Sequence, residues 1–199
     1  MGNPWLSIWS TPRQTIDSIA RIDPNYGLWV LSFIYALTNA FYLAHIYSWG
    51  LEEHVTALSL LWLLLSPLFG WLVLSFDALF FTWIGRLLKG KGEYGQVRCA
   101  VVWAKIPYCI ALFMWVCFAI FIPEEAFIQY VDGVSFAFIA FITASSFIWS
   151  TVLLIQGLAL VHAVSWMRSI SIAILSWVPL FFLYLIAVIT IRYVIINII

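Results

Sequence analysis

Charge is what this sequence has least of. Nine Lys and Arg and nine Asp and Glu amount to 9% of 199 residues, against roughly a quarter in a typical soluble domain. That shortage excludes a soluble globular fold, and the zero formal net charge excludes a surface built for nucleic acid. Cysteine is equally rare. Cys99, Cys109 and Cys117 all fall at one end or inside a single apolar run, so a disulfide scaffold is excluded and they read as small apolar fillers. His45, His54 and His162 are scattered without ligand spacing, which leaves no metal site, and they read as isolated interfacial or packing residues. No G-x-S-x-G and no Cys/His pairing occurs. No enzyme and no cofactor are therefore expected. Residues 1–27 lack both an unbroken apolar h-region and a small-residue cleavage site, so they do not read as a signal peptide.

What the sequence does have is apolar length. Hydrophobic residues make up 65% and aromatics 19%, and the mean hydropathy is +1.05. Five runs are nearly free of charge: 28–47, 58–84, 100–122, 134–161 and 170–191. A hydrocarbon core about 30 Å thick needs about 20 helical residues, and the runs are apolar on every face instead of alternating. The expected fold is all-α: a polytopic integral membrane protein with five transmembrane helices, preceded by an N-terminal amphipathic interfacial arm.

Cations give the orientation. Arg13 and Arg21 lie in the arm, Arg86, Lys89, Lys91 and Arg98 in the second connection, and Arg168 in the fourth, whereas Glu52, Glu53, Glu124, Glu125 and Asp132 lie in the other two. By the positive-inside rule the N-terminus is cytoplasmic and the C-terminus exterior, in an inner membrane if the chain is bacterial; Arg192, near the exterior end, snorkels to the headgroups. In the arm, Thr11, Pro12 and Gln14 supply a cap, a first-turn Pro and a capping-box partner, and Ile16, Ile19 and Ala20 form one apolar stripe. With Trp5 and Trp9 ahead of it, this arm is expected to lie along the cytoplasmic leaflet, as a domain of residues 1–27 distinct from 28–199. Trp29, Trp49, Trp83, Trp103 and Trp166 fall near predicted interfaces, as an aromatic belt does.

Two ionisable residues sit inside runs. Asp77 lies 8 residues before Gly85 and Lys105 lies 7 after Arg98, which puts both roughly 10–12 Å from the same loop. An unpartnered charge there costs about 2.5–3.5 kcal/mol, so an Asp77–Lys105 pair is expected, either as a staple or, with Gln156 and Ser176, as a polar layer that forms a site. Ser59, Ser66, Gly70 and Asp77 share one helical face, and Ala137, Ala140 and Ala144 another; both read as packing seams. Pro67, Pro107 and Pro179 fall within three runs and are expected to kink them. Gly85 to Gly92, G-R-L-L-K-G-K-G, has Gly where a P-loop has Ser or Thr, and no strand precedes it. It reads instead as a flexible loop contacting lipid headgroups.

The segment N-P-W-L-S-I-W-S-T-P-R-Q-T-I of residues 3–16 and the D-P-N-Y-G of 23–27 resemble prokaryotic members of the Yip-one (Ypt-interacting protein) domain family. So do G-R-L-L-K-G-K-G-E-Y of 85–94 and W-A-K-I-P of 103–107. The resemblance covers essentially the whole chain and implies five spans and a cytoplasmic N-terminus. In eukaryotes the family is associated with prenylated Rab-type GTPases and early secretory membranes, through members with a long cytoplasmic N-terminal domain that this sequence lacks. It carries over no catalytic residue.

The leading expectation is a non-enzymatic membrane protein that organises membranes or recruits a partner through its cytoplasmic face. Trp5, Trp9, Arg13, Arg86, Lys89, Lys91 and Arg98 would meet anionic headgroups or a cytoplasmic protein, and a small-residue face would suit a homo-oligomer. The alternative is a small transporter or lipid scramblase working through Asp77, Lys105 and Gln156.

Overall fold

The computed structural model describes residues 2–48, 55–121, 127–128 and 133–198. Glu52, Glu53, Glu124, Glu125, Asp132, Trp49 and His54 lie outside the described residues, as do the side chains of Ser59 and Arg192. Within them every regular element is a helix: α1 (Pro4–Ser10), α2 (Pro12–Ile22), α3 (Leu28–Ile46), α4 (Val55–Leu87), α5 (Tyr94–Trp103), α6 (Tyr108–Phe121), α7 (Gly133–Val161) and α8 (Trp166–Ile198). Four stretches, Leu28–Ile46, Leu60–Leu87, Ala137–Val161 and Trp166–Ile186, are long and apolar enough to cross a membrane. The pair α5 and α6 makes a fifth if counted as one broken span, bent by 42°.

Pro107 stands at that break. It has no N–H for the Trp103 carbonyl, which instead accepts from the Ile106 N–H at 3.3 Å. Its own carbonyl accepts from Ile110 N–H at 3.1 Å and from the Ser146 hydroxyl of α7 at 3.3 Å, so the bend is pinned to a neighbouring helix. Pro67 and Pro179 lie inside α4 and α8, which run on as single helices. On the α4 stripe, Gly70 lets α3 and α4 touch. A Cβ there would fall 2.0 Å from the Ser32 carbonyl oxygen. The alanine face of α7 behaves otherwise: Ala137, Ala140 and Ala144 are exposed within this chain and are no seam of its own bundle.

The arm departs most from expectation. It does not stand apart from the bundle. Its helices α1 and α2 pack on each other, and α2 packs on α5 and α7. Ile8, Ile16, Ile19 and Ala20 are buried in the same core as Leu74, Phe81, Val97, Trp103 and Leu158. The physical reason is that α5 ends at a break and exposes apolar side chains which the stripe of α2 covers; burying Ile8 and Ile16 fully is worth roughly 1.5–3 kcal/mol each. The polar face, with Arg13, Gln14 and the Arg21–Asp17 ion pair at 2.9 Å, turns outward. Thr11 makes no capping hydrogen bond to α2; its hydroxyl donates to the Ser7 carbonyl at 3.2 Å and closes α1. Trp103, expected in an aromatic belt, is fully buried under this arm, and its indole N–H donates to the Tyr26 carbonyl at 3.0 Å.

Candidate functional site

Asp77 and Lys105 do come into one region, but not as a pair. Among the described residues the only ion pair is Arg21–Asp17. Asp77 Oδ1 accepts from the Tyr184 hydroxyl of α8 at 2.6 Å, a short bond of the charge-assisted kind. Lys105, in the turn between α5 and α6, places its Nζ 4.9 Å from the centre of the Tyr35 ring and 5.7 Å from that of Tyr108. Those two rings meet edge to face at 5.1 Å. The expected direct pairing is therefore replaced by separate satisfaction. A cation beside aromatic rings gains about 0.5–2 kcal/mol, which offsets part of the cost of holding Lys105 without a carboxylate. Gln156 is half-buried on α7 and bonds to neither, and Ser176 is buried on α8 with no hydrogen-bond partner for its hydroxyl. The contacts thus join Asp77 to Tyr184 and Lys105 to Tyr35 and Tyr108, and Gln156 and Ser176 take no part in them.

The glycine-rich segment is a built structure. Three of its glycines close on one imidazole. Cβ atoms at Gly85, Gly90 and Gly92 would lie 2.2, 2.6 and 2.7 Å from ring atoms of His162. The Gly92 N–H donates to His162 Nδ1 at 3.1 Å, and the Lys91 N–H donates to the His162 carbonyl at 3.0 Å. Because Nδ1 accepts, the ring is neutral with its proton on Nε2, which is buried and has no hydrogen-bond partner. Burial pushes the His162 pKa below its usual value; the Phe81 carbonyl opposes this in part and Arg86 adds to it. The expected flexible loop is corrected on this point. Glycine is needed here for close approach to a ring, not for mobility or phosphate.

Two turns flank the cage, and each places a non-glycine residue in the left-handed region. Lys89 (φ 63°) follows α4, with Gly90 N–H bonded to Gly85 O at 2.8 Å. Ala163 (φ 53°) follows α7, with Val164 N–H bonded to Ala159 O at 3.0 Å. Both are helix endings that normally use glycine.

Around this end Arg86, Lys89 and Lys91 are exposed. Arg13 is exposed on the outward face of α2, and Trp9, 39% exposed, lies away from the turn beside Pro107, Ile142 and Trp149. The arm reaches the same end, since Asp17, Ala20 and Arg21 line one pocket with Gln96, Leu160 and Val161. Trp5 and Arg98 leave the contact set. The Trp5 ring packs 5.1 Å from Trp103 and its N–H donates to the Tyr26 hydroxyl at 3.3 Å. Arg98 donates to Asn25 Oδ1 at 2.5 Å and lies 5.3 Å from the centre of the Tyr94 ring. Both fasten the arm to α5.

Sequence reasoning missed Tyr184, Tyr35 and Tyr108, and passed over His162 as isolated. The only signal was three glycines within eight residues beside a loop that no phosphate motif explained. Comparison with curated proteins and with solved structures finds no match. A family model does: the Yip1 domain matches residues 6–189, from α1 to well inside α8. The chain belongs to the Yip1 domain family.

Proposed function

We propose that this Yip-type membrane protein is a non-enzymatic organiser of membranes or recruiter of a partner, acting through a rigid basic face at the end where the arm and the glycine-rich turn meet. The observation that carries the reading is the shared anchoring of that face. The arm's Ile8 and Ile16 are fully buried in the bundle core and the turn is closed on His162, so the backbones that carry exposed Arg86, Lys89 and Lys91 of the turn and exposed Arg13 and Arg21 of the arm belong to one packed unit. Exposed Ile22 (70%), the chain neighbour of exposed Arg21, adds an apolar group beside a cation, a combination that suits anionic headgroups or an acidic protein surface. The face is read as cytoplasmic, in a bacterial inner membrane, with the C-terminus exterior.

Truncating the arm would not test this, because it would open the core. The informative variant neutralises Arg13, Arg86, Lys89 and Lys91 to Gln together. Membranes carrying the parent should retain anionic lipid or a protein partner on affinity purification, and the variant should lose it while melting at the same temperature. Identical co-purifying lipid and protein would overturn the reading.

The transporter or scramblase reading has one observation in its favour, the span broken beside Lys105 opposite Asp77 and Tyr184, since interrupted helices in membranes line sites or cavities. Its test is movement of labelled lipid across liposomes containing the parent and the Asp77→Asn variant. A rate that falls with the variant supports it, and absence of flux in every lipid class removes it.

A further inference from the structure

In the half of the bundle remote from His162, a cavity of about 460 Å³ opens between α3, α6 and α7. That is within the range of small-molecule sites. Its walls include Asn39, Tyr42, Tyr108, Trp115, Thr143 and Phe147, and among the described residues no Asp, Glu, Lys or Arg lines it. Part of the polar wall has partners: Thr38, Asn39 and Ser146 bond to backbone carbonyls, the Asn39 amide donating to that of Tyr35 at 2.7 Å. Two buried groups do not. Trp115 is fully buried and its indole N–H has no hydrogen-bond partner; the Thr143 hydroxyl is buried and has none either. A buried donor left unmade costs about 1–3 kcal/mol, and an indole N–H can only donate. The missing group is therefore an acceptor. Asn39, Tyr42, Thr143 and Phe147 belong to stretches long and apolar enough to cross a membrane, so the cavity lies at the level of the bilayer and its natural occupant is a lipid.

We propose that this cavity is a binding site for an uncharged lipid bearing carbonyl oxygens, which accept from the Trp115 N–H and the Thr143 hydroxyl while its apolar body lies against the Tyr42, Tyr108 and Phe147 rings. The absence of a charged wall disfavours an anionic headgroup, which would lose its hydration without compensation. Two sources share this chemistry: the ester carbonyls of a diacylglycerol and the ring carbonyls of an isoprenoid quinone.

The test uses the full chain in phosphatidylcholine nanodiscs with a diacylglycerol that carries a diazirine in one acyl chain. After illumination, label should map to residues 38–42, 111–115 and 140–147. Unlabelled diacylglycerol or ubiquinone should displace it, whichever competes better naming the source, and phosphatidylglycerol should not. Thr143→Val, close in shape to the native side chain, and Trp115→Phe, which removes the N–H together with one ring, should each lower labelling about two- to tenfold. Either variant suffices if the other melts early. Label spread evenly over the lipid-facing helices, equal competition by phosphatidylglycerol, or full labelling in both variants would overturn the proposal.

Discussion

His162 Nδ1 accepts a hydrogen bond from the backbone N–H of Gly92, 3.1 Å away, across 70 residues of sequence. The bond ties the turn after α4 to the turn after α7, and the steric demand of the same ring accounts for glycine at 85, 90 and 92.

Gly85→Ala should therefore destabilise the protein by about 1–3 kcal/mol, the usual cost of overpacking a filled interior. The added methyl would meet the imidazole, so in a His162→Ala background the same substitution should cost much less. A double-mutant cycle on thermal unfolding in detergent reads the difference, and equal costs in both backgrounds would separate the glycine from the ring.

The pH dependence follows from the lowered pKa of His162. An unfolded histidine titrates near 6.5, and the folded one, held down chiefly by burial, titrates lower. The neutral ring's contribution to stability is complete above about pH 6.5 and declines as pH falls below it toward the folded value. His162→Asn keeps an acceptor for Gly92 without a titrating group, so its melting temperature should change less than the parent's between pH 7.5 and 5. Parallel profiles would count against the assignment.

Tyr184→Phe removes the donor that Asp77 Oδ1 holds at 2.6 Å. Loss of a hydrogen bond to a charged group costs about 1.5–3 kcal/mol. In an Asp77→Leu background the Tyr184 hydroxyl has nothing to satisfy, so the second loss should nearly vanish there. Chemical denaturation of the four proteins measures this, and additive losses would show that the contact carries no energy of its own.

Lys89 and Ala163 occupy left-handed backbone at φ 63° and 53°. Glycine removes the Cβ strain of about 1–2 kcal/mol at such a site while freeing the unfolded chain, so Lys89→Gly and Ala163→Gly should each raise stability by about 0.5–1 kcal/mol. A lowered melting temperature in both would show that the strain is not there.

Parts of this architecture were legible in the sequence for a simple reason. Apolar length is a one-dimensional property, so the helices around Tyr35, Asp77, Gln156 and Ser176 could be expected from hydropathy alone, and Pro107 marked the broken span. Partnership is not one-dimensional. Ile16 and Ile19 form the same stripe whether lipid or protein covers it, and only the folded chain brings α5 and α7 over them. Equal depth suggested Asp77 and Lys105 as partners, yet the partners come from α3, α6 and α8, with Tyr184 lying 107 residues from Asp77. A tyrosine within an apolar run carries no mark that its hydroxyl will meet a carboxylate. Nor did G-R-L-L-K-G-K-G reveal that its glycines fit an imidazole far along the chain.

The proposed basic cytoplasmic face requires α5 and α6 to act as a single broken span, which makes the number of crossings odd. Reporter fusions at each end of the chain, one active only in the cytoplasm and one only outside it, measure this directly. The account predicts that the residue 1 end and Lys89, the latter probed by insertion in its turn, report cytoplasm while the residue 199 end reports exterior. Both ends in one compartment would contradict it.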